Sequence, residues 1–101
     1  MEDIHTCAIA KPMKLFGSKW TMDILYHLCS GKKRFGELQR ELDGISPKTL
    51  SERLDVLEAE KIVTKTVYVE VPLRVEYSLT SRGEALKDIF RDLNTWSKDN
   101  L

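Results

Sequence analysis

Little in this chain belongs to an enzyme. Among 101 residues there are two histidines, His5 and His27, and two cysteines, Cys7 and Cys29. None of them shares metal-ligand spacing with the others or with a carboxylate cluster. A Gly-rich phosphate loop and a G-x-S-x-G elbow are both missing. Two thiols are too few for a disulfide scaffold. No apolar run approaches the ~18 residues that a membrane span needs. The opening MEDIHTCAIAKPMK begins with acids and lacks the apolar stretch of a secretory signal. The expectation is a cytoplasmic protein with no membrane partner, no cofactor and no metal.

Net charge is also missing, with 16 basic residues against 16 acidic ones. That balance argues at first against a nucleic-acid partner. Its distribution argues the other way. Residues 11–34 carry Lys11, Lys14, Lys19, Lys32, Lys33 and Arg34 against Asp23 alone, while acids dominate residues 37–60. A neutral protein still presents a basic face if its acids point elsewhere.

What is present suits a folded domain: 42% hydrophobic and 32% charged residues, outside the disordered range. The length implies one domain over residues 1–101. A chain this small often gains stability by pairing with its own copy.

The apolar spacing predicts the order of elements. Pro12 disfavours the interior of a helix, so a first helix should begin near Pro12 or at most a turn earlier and end at Gly17. Ser18 is a candidate cap for a second helix, Lys19 to about Cys29, with Trp20, Ile24, Leu25 and Leu28 inward. A short extended piece, Lys32-Lys33-Arg34-Phe35, leads to a third helix over Phe35–Leu42. Asp43-Gly44 is a turn. Ser46 as N-cap and Pro47 at the first position open a fourth helix that runs to about Glu60. There Leu50, Leu54 and Leu57 recur on one face. Two β-rich runs flank Val71-Pro72-Leu73-Arg74 as a hairpin with its proline at the tip. Thr80 or Ser81 caps a last helix with Leu86, Ile89, Phe90, Leu93 and Trp96 on one side.

Helix three, turn and helix four make a helix-turn-helix, and the hairpin after it is a wing. The expected class is α+β, mostly helical, with an additional helix at each end. Opposite the leucines of helix four lie Lys48 and Glu52, flanked by Thr49, Ser51 and Arg53. Hydroxyls and cations at a helix start are what base edges and phosphates would meet. An ordinary solvated face is the alternative. With Ser46 and Pro47 at the helix start, Lys65 and Arg74 on the hairpin, and Lys32, Lys33 and Arg34 ahead of helix three, these residues form the candidate DNA surface. A second alternative is a winged helix used only to bind protein, which calls for an apolar wing tip. Arg74 at the tip speaks against it, unless it faces its own domain and pairs with Glu70 or Glu76. The last helix carries Phe90 and Trp96 with too little chain to cover both. It should therefore pack, with Ile9, Met13 and Phe16, against a symmetry mate.

Five blocks stand in order: GSKW (Gly17–Trp20), RFGEL (Arg34–Leu38), ISPKTLSERL (Ile45–Leu54), VPLRVEYSLT (Val71–Thr80) and Gly83. With them the chain resembles the HxlR-type winged helix-turn-helix transcriptional regulators, relatives of the MarR group. The resemblance implies a homodimer that binds palindromic double-stranded DNA through helix four and the wing. It also implies a place for an oxidant or small-molecule effector, because some members carry an N-terminal thiol sensor where Cys7 stands. The family usually has proline directly after that cysteine; here Ala8 follows it and the proline is Pro12. Lys11 would raise the thiolate fraction of Cys7; a structural or semi-exposed thiol is the alternative. Cys29, at the end of an inward-facing helix, reads as an inert core residue.

Overall fold

The computed structural model describes residues 8–101, so Cys7 lies outside the described residues. Nine elements follow in order: α1 (Ala10–Phe16), α2 (Thr21–Leu28), β1 (Lys33–Arg34), α3 (Phe35–Glu41), α4 (Pro47–Ala59), β2 (Val63–Tyr68), β3 (Arg74–Leu79), α5 (Ser81–Glu84) and α6 (Leu86–Asn100).

Helix α1 tolerates its proline because of where the proline falls. Met13 N–H is the first to reach back, to the Ile9 carbonyl at 3.1 Å. Pro12 is the third helical residue, a position whose N–H has no intrahelical acceptor to lose. The start at Ala10 is within the expected turn of Pro12.

Helix α2 corrects the sequence reading. It begins at Thr21, and its N-cap is Trp20, with no side-chain cap. Ser18 contributes its carbonyl to Thr21 N–H at 3.3 Å instead of its hydroxyl. Trp20 has φ = 80°, a left-handed conformation that costs a bulky residue ~1–3 kcal/mol. Its ring packs part-buried against the core, and its carbonyl takes the first full helical bond, from Ile24 at 2.9 Å.

The turn from α3 to α4 behaves as its residues require. Gly44 has φ = 92°, which glycine adopts without strain. Ser46 caps α4 by accepting from Thr49 N–H at 3.1 Å, and Pro47 takes the first helical position. Leu50, Leu54 and Leu57 are fully buried, together with Ile24, Leu25 and Leu38. Each leucine held there is worth ~1.5–3 kcal/mol. The core is therefore the contact of the α4 leucine stripe with α2, α3 and the inner face of the sheet.

The sheet has order β1-β3-β2, all antiparallel. Val63 opposes Leu79, Lys65 opposes Tyr77 and Tyr68 opposes Arg74. Leu79, Tyr77 and Val63 face the core; the alternation then sends Tyr68, Arg74 and Glu76 to the other face. The β2–β3 hairpin extends past the core as a wing with Pro72 in its loop.

Behind the wing, Thr80 fastens three elements together. Its hydroxyl donates toward the Lys61 carbonyl at 2.6 Å and accepts from Gly83 N–H at 3.2 Å. Its own N–H reaches the Ile62 carbonyl at 2.9 Å, and Arg82 bonds the Glu60 carbonyl at 3.0 Å. The end of α4 is thereby tied to the start of the last helix, which breaks at Ala85 into α5 and α6.

Helix α6 has no buried residue. Ile89, Leu93 and Trp96 are exposed on it, as are Ile9 and Met13 beside and on α1. Phe16, Leu86 and Phe90 instead pack part-buried against the chain's own core. Phe90 meets Tyr26 edge-on at 5.9 Å. The fold is a winged helix-turn-helix, mostly helical, with an added helix at each end.

Gly83 is the tightest point of the Thr80 junction, because a Cβ there would collide with the Ile62 carbonyl and crowd Leu79. Gly83→Ala should destabilise the fold by ~1–3 kcal/mol, read as a lower denaturation midpoint in urea. An unchanged midpoint would show that the junction has slack.

Candidate nucleic-acid interface

Burial of the leucines sorts the rest of α4. Ser46, Pro47, Lys48, Ser51 and Glu52 are exposed, while Thr49 and Arg53 are half-buried beside the Ser18–Trp20 segment that precedes α2. The first two turns thus present a hydroxyl, an ammonium and a carboxylate to solvent. Ser46 also donates to Thr49 Oγ1 at 2.9 Å, which leaves the Thr49 O–H free to donate outward.

A polar cleft of about 410 Å³ opens where α4 begins, lined by Ser18, Lys19, Trp20, Thr49 and Arg53. Lys19 Nζ lies 5.4 Å from the Trp20 ring centre, within cation–π range. Two cations and two hydroxyls suit a phosphate. Sequence reasoning missed Ser18, Lys19 and Trp20 as site residues, treating Ser18 as a cap and Trp20 as core. The available signal was a polar, basic turn ahead of a helix. The left-handed Trp20 that aims it toward α4 has no local sequence mark.

The basic triplet before α3 divides. Lys32 is exposed and pairs with Glu76 at 3.6 Å. Lys33 is mostly buried and pairs with Glu41 at 3.1 Å. Hydrogen bonding from Lys33 holds the Glu41 carboxyl below its ordinary range, and His27 Nδ1 lies 3.4 Å from the same carboxylate. Arg34 is exposed, its N–H donating to Glu37 Oε1 at 3.0 Å to start α3.

The wing differs from expectation at Arg74. Its guanidinium lies 4.0 Å over the Tyr68 ring, with Glu70 at 3.4 Å and Glu76 at 3.8 Å from Nε. Pairing of Tyr68 with Arg74 across the ladder brings ring and cation together. Arg74 is therefore engaged within its own wing, at the base of the tip. The tip itself is apolar, with Val69, Val71 and Leu73 exposed. Lys65 is exposed on β2.

Among the described residues no three His, Cys, Asp or Glu side chains gather as a metal site. No helix among the described residues is long and apolar enough to cross a membrane.

A helix-turn-helix with a polar α4 face and a following wing defines a fold class, the winged helix-turn-helix proteins. The family model for the HxlR-like helix-turn-helix matches residues 15–101, and the chain belongs to that family. It is similar to a Fusobacterium mortiferum protein designated MalR, a regulatory protein, at 37% identity across 95% of this chain and 92% of that protein. It also resembles a solved structure from Porphyromonas gingivalis W83 placed in the MarR family, with TM-score 0.88 and 38% identity over 100% and 98% of the two chains. The reduced form of the Bacillus subtilis transcriptional regulator YodB matches with TM-score 0.83 and 35% identity over 94% of each chain. YodB has further been solved bound to quinone and after diamide treatment. HypR, a redox regulator, has been solved oxidised and reduced. This protein is accordingly a transcriptional regulator of the helix-turn-helix type and not an enzyme.

The stack of Arg74 on Tyr68 is separable from folding of the core. A double-mutant cycle of Tyr68→Ala with Arg74→Ala should give a coupling of ~0.5–1 kcal/mol in stability. Additive losses would mean that the ring and the guanidinium do not hold each other.

Proposed function

We propose that two copies of this chain pair through α1 and α6 and bind palindromic DNA in a sequence-specific manner. In this reading residues 1–101 act as one winged-helix unit in the cytoplasm. Helix α4 enters the major groove with Ser46, Pro47, Lys48, Thr49, Ser51 and Glu52 toward the bases. Arg53 and the cleft residues Ser18 and Lys19 hold a phosphate, and Lys32, Arg34 and Lys65 flank the backbone. Lys33 and Arg74 act from one step behind, one anchoring α3 through Glu41 and the other stiffening the wing through Tyr68. The observation that carries this reading is the exposed, hydroxyl- and cation-bearing start of α4 above a fully buried leucine stripe.

If it is right, Lys48→Ala should leave the fold intact and weaken DNA binding. A lost base contact costs ~1–3 kcal/mol and relaxes base preference. A lost phosphate contact instead lowers the slope of log affinity against log salt by ~0.9. Wild-type affinity and slope together would remove Lys48 from the interface.

The apolar wing tip favours a second reading in which the wing meets a protein. Val71→Asp separates the two. A loss of DNA affinity assigns the tip to DNA, and retained affinity leaves it for a protein partner.

Pairing is supported by five exposed apolar side chains, Ile9, Met13, Ile89, Leu93 and Trp96, on the two end helices and their flank. Leu93→Glu should convert the dimer to monomer in sedimentation and lower DNA affinity with it, since each half-site would then bind alone. A wild-type sedimentation coefficient would place the interface elsewhere.

A response to oxidants or electrophiles through Cys7 belongs to the same proposal, on the likeness to HypR and YodB. Diamide should lower DNA affinity in the wild type and not in Cys7→Ser. Equal responses would leave Cys7 outside the mechanism.

A further inference from the structure

A carboxylate stands in the middle of the outer face of the sheet. Glu76 lies on the central strand β3, directly opposite Arg34 on β1 and Thr66 on β2. Arg74, two residues earlier, shares its side of β3. Glu76 divides its two oxygens between two cations: Oε1 is 3.6 Å from Lys32 Nζ, and Oε2 is 3.8 Å from Arg74 Nε. Only 13% of the Glu76 side chain is exposed, against 68% of that of Lys32. The carboxylate is held against the sheet while the ammonium reaches into solvent.

Neither contact is a firm bond. Both are longer than a charge-assisted hydrogen bond, and Arg74 Nε is buried without an acceptor. Exposed pairs of this kind contribute little to folding. What Glu76 supplies is charge. Without it, Lys32 would be in none of the ion pairs among the described residues, and Arg74 would keep only Glu70.

A carboxylate so placed works against polyanions. Sequence-independent DNA binding comes from cations that release counterions from phosphates, and a cation already paired with a carboxylate releases fewer. A duplex seated by α4 brings its backbone to the turn before β1 and draws Lys32 from Glu76. In a loose encounter the carboxylate keeps it.

We propose that Glu76 is a specificity-setting counter-charge, which holds Lys32 back from polyanions in general and yields it only to a duplex seated through α4. This rests on the DNA reading above for the seated complex but not for the effect on other polyanions. It matters because sequence-independent sites vastly outnumber operators.

Glu76→Gln keeps the size of the side chain and removes its charge. It should bind a random-sequence duplex about fivefold more tightly at low salt, with the slope of log affinity against log salt steeper by ~0.9. A duplex selected by the wild type should gain less, so that the preference between the two narrows. Lys32 is mostly exposed, so Lys32→Ala should fold whatever Glu76→Gln does. It should leave the random-duplex slope of the wild type unchanged and lower that of Glu76→Gln by ~0.9. Asp92→Asn makes the same change of charge at an exposed site on α6 that enters none of the ion pairs among the described residues. Its slope should be that of the wild type. Elution from heparin, a polyanion with no base sequence, should move to higher salt in Glu76→Gln and not in Asp92→Asn. A wild-type slope in Glu76→Gln, an equal gain on selected and random duplexes, or a Lys32→Ala loss of the same size in both backgrounds each overturns the proposal. Later heparin elution of Glu76→Gln, in a protein whose wild type binds no duplex, would support the counter-charge and sink the DNA reading instead.

Discussion

Burial of one side of α4 is the constraint on which the rest depends. Leu50, Leu54 and Leu57 have no solvent exposure, and losing any of them to alanine would cost ~2–5 kcal/mol. A helix held that firmly along one face cannot rotate, so its opposite face is fixed in space. Lys48, Ser51 and Glu52 are outward because the leucines are inward. Thr49 and Arg53, a quarter-turn aside, are brought into the cleft beside Ser18, Lys19 and Trp20.

The same constraint reaches the wing and the last helix through Thr80. Bonds from Thr80 and Arg82 occupy the carbonyls of Glu60, Lys61 and Ile62, the first of them a group that the end of α4 leaves without an intrahelical partner. Satisfying them from the far side of the hairpin locks wing, α4 and α5 into one body. In the dimer proposed above, a signal that moves α6 against its counterpart would then carry α4 and the wing with it. That is the geometry a pairwise DNA reader needs, because it measures the spacing between two half-sites.

Much of this was legible in the sequence where the cause is local. Ser46-Pro47 marks the start of α4, the leucine spacing marks its buried face, and Gly44 marks the turn, since each acts within a few residues. The two β-rich runs that flank Val71–Arg74 placed the wing after the helix-turn-helix, and the family blocks, GSKW through Gly83, agree with that order. What was not legible depends on partners far along the chain. Arg74 reads as a free cation until the register sets it across from Tyr68, and Lys33 reads as one until Glu41 arrives beside it. Ser18 has the chemistry of a cap, yet the left-handed Trp20 moves the helix start and turns the cleft toward Arg53. Val69, Val71 and Leu73 spell an apolar wing tip in the sequence, and only Arg74 beside them argues for a basic one.

The central claim is that the exposed start of α4 reads a DNA sequence twice, once per subunit. Selection of bound fragments from a random double-stranded pool by the purified protein measures this directly. The account predicts enrichment of an inverted repeat whose half-sites lie about one helical turn, ~34 Å, apart or a multiple of it. A pool that stays random after successive rounds at low salt would contradict it.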